Sequence, residues 1–433
     1  MTAACSSLNY CPRTLIVGIL ECGFWSVVLE KRRCTRLQAA QHRLCIDIRQ
    51  WACRPREEKP VTNRSLLIVG GGFAGMSLAI RMRERGWTVD LVEIDPQWRV
   101  YGAGISITAP TYRACKRLGV VEELLASGFG SHKGVRICAP NGHVVAEIPA
   151  QPIEPGMPTG GGIMRPVLHD ILSRRTRASG ATVRLGVTLE TYTETADGVR
   201  VTTTDGQTRD YTLLVAADGA FSAVRSLVFP TAAQPIYTGQ YCWRLVADRP
   251  ADIDGVHFYM AGSVTAGVMP TSATQMYIFL LIHEPHKIRI DEATQWQRLK
   301  QLMAPFSGLL GTLRDGLSDR SVIIVRPLEA ILLPRPWHRG RVLLIGDAVH
   351  ATTPHLASGA GIAIEDALVL SQELEREPDV ERALVRFEER RWERCRLVVE
   401  NSVRIGQMEQ THADPAALKT LMAVSEAALR EDI

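Results

Sequence analysis

The sequence is poor in several features that would assign a chain of 433 residues to other functional classes. No stretch reaches the ~18–20 apolar residues of a membrane-spanning helix, so we expect no membrane span. The net charge is only +4, and basic residues are not interleaved with aromatic ones, so nothing indicates a nucleic-acid partner. Cysteine and histidine do not cluster at metal-ligand spacing, and the G-x-S-x-G motif of serine hydrolases is absent.

Cysteine is scarce outside the first part of the chain. Residues 1–60 hold six of the ten cysteines, and ten Lys and Arg against five Asp and Glu. Two hypotheses stay open for this basic leader: translation of the native protein starts near Val61, or the leader is a genuine tethering or redox-sensing extension. The remaining cysteines lack C-x-x-C spacing, which is typical of free thiols in a reducing compartment and predicts a cytoplasmic protein.

A glycine-rich turn follows the first apolar run after this leader. Leu66–Val69 has the pattern of a buried parallel strand. Gly70, Gly72 and Gly75 follow it with G-x-G-x-x-G spacing. Gly70 suits a tight turn, Gly72 lets backbone approach a pyrophosphate, and Gly75 lets a helix pack closely on the strand. Met76–Arg85 has a helical pattern, so its N-terminal amides would face the phosphates.

An acidic residue completes the pattern of a dinucleotide site. Thr88–Val92 predicts a second strand, and Glu93 ends it, where a carboxylate can accept both hydroxyls of an adenosine ribose. The alternative is a tight strand-to-helix turn without a ligand. That alternative explains Gly70 and Gly75 but gives no reason for Glu93, so the dinucleotide site is favoured.

Two further apolar runs end close to an aspartate. Leu213–Ala216 precedes Asp218, and Val342–Ile345 precedes Gly346 and Asp347. Ligands of parallel sheets bind at the carboxyl ends of the strands, so both carboxylates are candidates for cofactor binding. Asp347 also precedes an alanine-rich stretch, which leaves helix capping open as its role.

Small residues and a proline follow the third run. Pro354 and the run Gly359, Ala360 and Gly361 lie just before Ile362–Leu370, which has a helical pattern. Small residues at the start of a helix expose backbone amides that can stabilise an anionic ring. A reduced flavin carries such a charge.

The chain resembles the single-component FAD-dependent aromatic hydroxylases, the flavoprotein monooxygenases typified by p-hydroxybenzoate and salicylate hydroxylases. The resemblance runs from about Asn63 to the C-terminal helices. It rests on GGGFAG with Glu93, on ADG with Asp218 and Arg225, and on GDAVHATTPHLASGAG with the EDA that follows. It implies FAD as the bound cofactor, and NAD(P)H as a transient co-substrate that needs no Rossmann fingerprint of its own.

The resemblance also assigns the three segments to parts of FAD. The first segment, which includes Phe73 and Ala74, is implied to bind the ADP half. Asp218 is implied to lie near the pyrophosphate, and Asp347 to bind ribityl or phosphate oxygens.

Further cofactor contacts are implied by the same resemblance. The glycine run from Gly359 would lie under the flavin ring, where a backbone role tolerates Ala360 in place of the Gln of many relatives. Arg165 resembles an Arg or Gln that opens a helix beside the flavin. Arg99 resembles an arginine of the loop that precedes the flavin.

We therefore expect an α/β fold in which a Rossmann-like FAD-binding domain (GR2-type) is interleaved with a mostly antiparallel substrate sheet and followed by C-terminal helices. The expected ranges are 61–132, 156–230 and 336–375 for the FAD-binding domain, 133–155 and 231–335 for the substrate domain, and 376–433 for the helical region. Val380–Gly406 has a helical pattern. A homodimer contact of this helix is left open.

The segments expected to form the substrate sheet have strand patterns. GVRICA and HVVAEI flank Asn141-Gly142, a strong hairpin signal. Residues 236–247, 255–269 and 275–283 alternate apolar and polar side chains. Such a sheet would cover the flavin and form the substrate pocket. The candidates to face this pocket are Tyr241, Trp243, Arg244, His257, Tyr259, Met269 and Pro270.

Three residues are candidates for catalysis. Arg244 could bind a substrate carboxylate or phenolate, or stabilise charge as the ring is attacked; the alternative is an edge-strand arginine that points to water. Tyr241 could clamp the substrate, although such a residue is more often part of a core. His355 is a candidate acid or base, or a loop histidine bonded locally, whereas His350 is expected to order the cofactor loop.

The resemblance implies that reduced FAD and O2 form a C4a-hydroperoxide, whose distal oxygen is transferred to a small aromatic or heteroaromatic substrate. The protein would hold the substrate within ~3–3.5 Å and exclude water. Three alternatives stay open: an FAD-dependent oxidoreductase, a tailoring or antibiotic-modifying monooxygenase of the same fold, and a non-catalytic FAD-binding protein. The choice between NADH and NADPH also stays open.

Overall fold

A sheet of six strands, hereafter the parallel sheet, carries the predicted motifs in the computed structural model, which describes residues 64–100, 102–262 and 264–433. Its strands lie side by side in the order β18 (His338–Arg339), β19 (Val342–Leu344), β12 (Leu213–Ala216), β1 (Ser65–Val69), β2 (Thr88–Glu93) and β8 (Thr182–Leu185). All neighbours are parallel except β18 and β19. The predicted strands of this sheet are confirmed to within one residue at each end.

Burial explains why these strands are uninterrupted apolar runs. Leu66 and Ile68 are completely buried, as expected for a parallel sheet that is covered on both faces. Helix α1 (Phe73–Glu84) follows β1 and packs against α4 (Arg165–Ala178) and α9 (Gly359–Arg376).

Two helices begin earlier than the sequence predicts. Helix α1 begins at Phe73 rather than Met76, with Gly72 at its N-cap, and α9 begins at Gly359 rather than Ile362. Small residues are tolerated there because the first amides of a helix need no intrahelical partner. The glycine run is therefore part of the first turn of α9 and does not precede it.

The large antiparallel sheet has seven strands, in the order β17 (Ile323–Ala330), β13 (Ile236–Asp248), β16 (Gln275–His283), β15 (Val264–Pro270), β14 (Val256–Ala261), β5 (Val135–Cys138) and β6 (Val144–Ile148). All neighbours are antiparallel except β14 and β5. The predicted hairpin is confirmed as β5 and β6. The predicted strand at 255–269 is instead two strands, because the chain turns at Gly262, which has φ 60°.

The two faces of the large antiparallel sheet are covered differently. Tyr241 and Trp243 lie on one face, in a buried cluster with residues of α6 (Gln295–Leu302) and α7 (Gly308–Asp315). Successive side chains of a strand point to opposite faces, so Arg244 lies on the other face. Strands of this sheet come from both segments assigned to the substrate domain, while the domain boundaries themselves stay a prediction.

Two small sheets and further helices complete the described residues. The small sheets have the orders β3 (Gly104–Thr108), β7 (Gly160–Met164), β4 (Phe129–Ser131) and β11 (Thr208–Tyr211), β10 (Val199–Thr203), β9 (Leu189–Glu194). The remaining helices are α2 (Ala109–Leu118), α3 (Val121–Ser127), α5 (Ala223–Val228), α8 (Asp347–His350), α10 (Val380–Gln410) and α11 (Pro415–Arg430), and a 3₁₀ turn covers Pro354–Leu356.

The C-terminal region is helical, as predicted, and α10 extends four residues beyond the predicted end at Gly406. Within the described part of the chain, the length and apolarity needed to cross a membrane do not coincide in any helix. The leader, residues 1–60, and the hypothesis of a start near Val61 lie outside the described residues.

Candidate active site

Four neighbouring strands of the parallel sheet end in the residues singled out from the sequence. Strands β19, β12, β1 and β2 lie side by side. They are followed or ended by Asp347, Asp218, Gly70 and Glu93, respectively. Because the strands are parallel, these ends meet at the carboxyl edge of the sheet, where ligands of such sheets bind.

The three fingerprint glycines have different neighbours. Gly70 has φ 105°, and a Cβ atom there would lie 2.3 Å from the carbonyl oxygen of Ala217. A Cβ atom at Gly75 would lie 2.1 Å from the carbonyl oxygen of Gly70. Among the residues that the structure describes, none places a heavy atom within 4 Å of a Cβ atom at Gly72. Protein packing therefore accounts for Gly70 and Gly75, whereas Gly72 faces open space of the kind a pyrophosphate needs.

Glu93 is part of the glycine turn as well as a candidate ribose ligand. Its Oε2 accepts a hydrogen bond from the backbone N–H of Gly71 at 2.7 Å, and its Oε1 accepts one from Asp95 at 2.9 Å. The indole N–H of Trp98 donates to the carbonyl oxygen of Gly71 at 2.9 Å. These hydrogen bonds give Glu93 a role in the turn itself, which the interpretation without a ligand had not explained. Its contact with the adenosine ribose stays a prediction.

Arg99 lies on the loop after β2, and its side chain pairs with Asp95. The guanidinium donates from Nε to Asp95 Oδ2 at 3.0 Å. This hydrogen bond lowers the pKa of Asp95 to about 2. The described contacts of Arg99 therefore stabilise the loop beside Glu93. That Arg99 also lies near the flavin stays a prediction.

Asp218 is held inside the turn between β12 and α5. Its carboxylate accepts hydrogen bonds from Ser222 Oγ at 2.5 Å and from the backbone N–H of Val224 at 3.1 Å. Burial raises its pKa, and these hydrogen bonds oppose that shift. The completely buried Arg225 donates to the carbonyl oxygen of Ala348 at 2.9 Å. The second and third segments are therefore tied together directly.

Asp347 and Arg165 lie at the centre of the candidate site. Asp347 is exposed to solvent. Desolvation by the protein around its carboxyl group nevertheless raises its pKa, and the charge of the nearby Arg165 opposes this shift. Gly346, not Asp347, is the N-cap of α8. The guanidinium carbon of Arg165 lies 5.3 Å from the ring centre of Phe73. Its Nε is buried and has no hydrogen-bond partner in the part of the chain that the structure describes. Burial lowers the pKa of Arg165, the nearby Asp347 opposes this, and Arg244 lowers it further.

Arg244 is close to these two groups but comes from the large antiparallel sheet. It is half-buried, and among the described residues it has no hydrogen-bond or ion-pair partner. Its neighbour Tyr277 donates to or accepts from Ser106 Oγ at 2.8 Å, which ties this face of the sheet to β3. Burial raises the pKa of Tyr277 to about 12. The site thus combines an unpaired cation with a neutral tyrosine.

The 3₁₀ turn that starts at Pro354 leads into the first turn of α9. A Cβ atom at Gly361 would lie 2.4 Å from Thr111 Oγ1, so Gly361 lets α9 pack closely on α2. Ser358 is the N-cap, but its hydroxyl donates to the carbonyl oxygen of Leu356 at 2.7 Å and does not cap the helix. The amides of Gly359 and the residues after it are therefore left without a side-chain cap, as an anionic ring would require.

The contacts of Tyr241 favour the alternative left open from the sequence, that it is a core residue. Tyr241 is 4% exposed, and its hydroxyl bonds to both the carbonyl oxygen and the backbone N–H of Ile288 at 2.9 Å. It lies on the face covered by α6 and α7, together with Trp243 and Tyr259. By register His257 shares that face, because it pairs with Val268 of the same cluster.

His355 is enclosed by α10, which also argues against its assignment as an acid or base. Its side chain is 1% exposed, Nδ1 lies 2.9 Å from Thr353 Oγ1, and Nε2 lies 3.5 Å from Glu409 Oε2. A Cβ atom at Gly406 would lie 2.7 Å from the ring. His350 is buried and bonded to Asp366 at 2.7 Å, as expected for a residue that orders the loop.

Sequence reasoning missed the aromatic residues that share a face with Arg244. Phe279 is opposite Arg244 in the register of β13 and β16, and Tyr277 follows on the same face. Phe258 packs edge-on against Phe279, with ring centres 5.9 Å apart. The two-residue alternation of 275–283 is the signal that could have identified them. Of the predicted candidates, Met269 does lie beside Tyr277.

Comparison with known proteins agrees with this arrangement. Residues 64–402 match the protein family described as FAD binding domain. Over 340 residues, the chain is 32% identical to the "Putative FAD-dependent monooxygenase YetM" of Bacillus subtilis, which covers 78% of this chain and 91% of that protein. Over 354 residues, it is 30% identical to 2-heptyl-3-hydroxy-4(1H)-quinolone synthase of Pseudomonas aeruginosa, with 80% and 90% covered.

A solved structure shows the same relationship. The fold is similar to that of Klebsiella pneumoniae HpxO complexed with FAD and uric acid, with a TM-score of 0.70 and 25% identity. The similarity covers 86% of this chain and 94% of the other. The range matched by the family contains every strand end described above.

Proposed function

Because the chain belongs to the FAD binding domain family and is an FAD-dependent monooxygenase, we propose that it uses NAD(P)H and O2 to hydroxylate a small heteroaromatic ring. The observation that carries this proposal is Arg244, a cation without a hydrogen-bond or ion-pair partner among the described residues, on the face of the large antiparallel sheet opposite α6 and α7. Two similar proteins point to the ring class, since one is named for a quinolone and the other is complexed with uric acid.

The residues at the strand ends fit FAD. The open space at Gly72 and the N-terminus of α1, which has no side-chain cap, would hold the pyrophosphate. Glu93 would accept hydrogen bonds from the adenosine ribose, and the solvent-open Asp347 from the ribityl chain. When bound, FAD supplies the redox chemistry, the uptake of a hydride from NAD(P)H and the activation of O2.

The protein supplies orientation and charge around the substrate. Arg244 would bind an anionic oxygen of the ring and stabilise the charge that develops during attack. Phe258 and Phe279 present ring surfaces beside it, which favours a planar aromatic ring and would keep water from the reacting atoms. Tyr277 fixes this face against β3 through its contact with Ser106.

We also propose a cytoplasmic location. The described cysteines Cys115, Cys138, Cys242 and Cys395 are free and buried, which suits a reducing compartment that supplies NAD(P)H. The homodimer stays a prediction, to be checked by the mass of the protein in solution.

The decisive experiment follows the fate of oxygen. The purified holoprotein is supplied with NADH or NADPH, ¹⁸O₂ and a panel of quinolones, purines, pyridine carboxylates and benzoates. We expect one ring class to stimulate NAD(P)H oxidation and to gain one ¹⁸O atom. Arg244→Gln should abolish this stimulation, whereas Arg200→Gln, at an exposed pair with Asp210, should not. Equal hydrogen peroxide formation with and without every compound would overturn the proposal in favour of an oxidase or a non-catalytic flavoprotein.

A further inference from the structure

A buried polar cluster joins the long helix α10 to the turn at Gly346 and Asp347. Its members are no more than 2% exposed, and they are His350, Glu365, Asp366, Arg391 and Cys395. His350 is expected to order the cofactor loop, and the function proposed above gives the other four no role. The cluster lies directly behind the turn that presents Asp347 to the candidate site.

Asp366 is the centre of this cluster. Its Oδ2 accepts hydrogen bonds from the backbone N–H of Gly346 at 2.8 Å and from His350 Nε2 at 2.7 Å. Its Oδ1 accepts one from Arg391 Nε at 2.8 Å. Arg391 also donates to Glu365 Oε2 at 2.9 Å. Both oxygens of Asp366 are therefore engaged, and one of their partners belongs to the candidate site.

A metal ion does not explain the cluster. The ligand atoms of His350, Asp366 and Cys395 lie within 4.8 Å of one another, which is close enough to hold one. However, the guanidinium of Arg391 already lies against Asp366, and a metal cation would have to displace this positive charge. The geometry is that of a charge-assisted hydrogen-bond network.

Stability does not explain the cluster either. A buried ion pair is often no more stabilising than well-packed apolar residues, because both charges lose their hydration. Burial alone would lower the pKa of His350, but Cys395 and Asp366 raise it well above its ordinary value. The network does, however, fix the direction of a particular backbone amide.

That amide belongs to a backbone conformation that is open essentially to glycine. Gly346 has φ 61° and ψ −143°, which glycine adopts without the strain that a side chain would impose, so the conformational freedom of glycine does not by itself fix the direction of the turn. A Cβ atom at Gly346 would also lie 2.9 Å from the Cβ atom of Ala74 in α1. With the amide of Gly346 turned inward to Asp366, the next residue, Asp347, is left open to solvent.

We propose that Asp366 is a positioning residue for FAD: held by His350 and Arg391, it orients the Gly346-Asp347 turn and so aims the Asp347 carboxylate at the cofactor. This inference rests on the function proposed above, since it takes Asp347 as a cofactor contact. It makes α10 part of the cofactor site, although no residue of that helix needs to touch FAD.

The test compares two buried aspartates of the same apoprotein. Asp366→Asn keeps the shape of the side chain but weakens its hold on the turn. Asp90→Asn is the matched control, because Asp90 is buried and accepts hydrogen bonds from Tyr211 at 2.6 Å and Arg209 at 3.1 Å, away from the turn. FAD is titrated into each apoprotein by flavin fluorescence at a temperature where both are folded. We expect on the order of tenfold weaker FAD binding for Asp366→Asn and unchanged binding for Asp90→Asn.

A second pair keeps the test decisive if Asp366→Asn does not fold. His350→Gln retains a donor for Asp366 and should bind FAD nearly as well as wild type, whereas His350→Leu removes the donor and should bind more weakly. Equal FAD affinities within each pair would overturn the inference. Failure of the proposed function has a different signature, since wild-type protein would then bind FAD but transfer no oxygen to any ring.

Discussion

Substitution of Gly72 by alanine should separate FAD binding from folding. A Cβ atom at this position meets no heavy atom within 4 Å, and the backbone has φ −78°, which alanine adopts freely. The open space beside Gly72 is where the pyrophosphate is proposed to lie. The added methyl group therefore occupies the space of the ligand and not that of the protein.

Opposing effects keep the change in the free energy of unfolding small. Alanine lowers the entropy of the unfolded chain, a gain of ~0.4–1 kcal/mol, but it is a poorer N-cap residue than glycine, a loss of up to about 1 kcal/mol. At Gly75, by contrast, a Cβ atom would lie 2.1 Å from the carbonyl oxygen of Gly70. Overpacking of this kind costs ~1–3 kcal/mol, so Gly75→Ala should destabilise the apoprotein.

The assay combines urea unfolding of each apoprotein with FAD titration. Gly72→Ala should stay within about 1 kcal/mol of wild type in unfolding and bind FAD at least ~10-fold more weakly, a loss of about 1.4 kcal/mol. Gly160→Ala is the control, because its Cβ atom would meet its nearest neighbour at 3.9 Å and should change neither quantity. The reasoning is refuted if Gly72→Ala binds FAD like wild type or destabilises the apoprotein as much as Gly75→Ala.

Three further predictions concern single side chains. The surrounding protein raises the pKa of Asp347, so ionisation of this carboxyl group opposes folding. Wild-type apoprotein should therefore lose stability relative to Asp347→Asn as the pH rises from the ordinary aspartate pKa of ~3.9 through the raised value. Urea unfolding of both proteins between pH 4 and 7 measures this difference. A pH-independent difference would contradict this. Tyr241→Phe loses both hydrogen bonds to Ile288 and should lower the free energy of unfolding by ~1–2 kcal/mol. The kcat with a stimulating substrate should stay unchanged, and a fall in kcat would instead indicate that Tyr241 takes part in catalysis. Arg244→Lys should recover part of the substrate-stimulated NAD(P)H oxidation that is lost in Arg244→Gln, while both variants bind FAD with equal affinity. Equal loss of this oxidation in both variants would argue against a role that depends on the positive charge.

Local pattern was sufficient to predict the cofactor edge of the parallel sheet. Each of its four strands is a short apolar run followed by glycine or an acidic residue, so periodicity and turn residues point to the same structure. The positive φ of Gly70 and the close contact of Gly75 with the carbonyl oxygen of Gly70 are local too, whereas the contact of Gly70 with Ala217 is distant in sequence. The resemblance to a known family then connected the segments to a single cofactor.

The catalytic candidates depended on contacts that are distant in sequence. Alternation along β13 shows that Tyr241 and Arg244 lie on opposite faces, but which face is buried is decided by α6 and α7, more than 45 residues later. His355 is enclosed by Gly406 and Glu409 of α10 in the same way. No pattern around Tyr241 or His355 carries this information, so Tyr241 was assigned to the site from its place in a predicted strand of the substrate sheet, and His355 from its place after Pro354.

The position of Arg391 late in the chain has a consequence for biosynthesis. Strands β1 and β2 leave the ribosome before β12, which follows after more than a hundred residues, and β19 and α10 emerge later still. Until α10 emerges, Asp366 lacks the cation that balances its buried charge, and β1 lacks one of its two neighbours until β12 is made. Assembly of the cofactor site therefore waits for the emergence of α10. Its yield in a cell depends on what shields the apolar edge of β1 while the ribosome completes the rest.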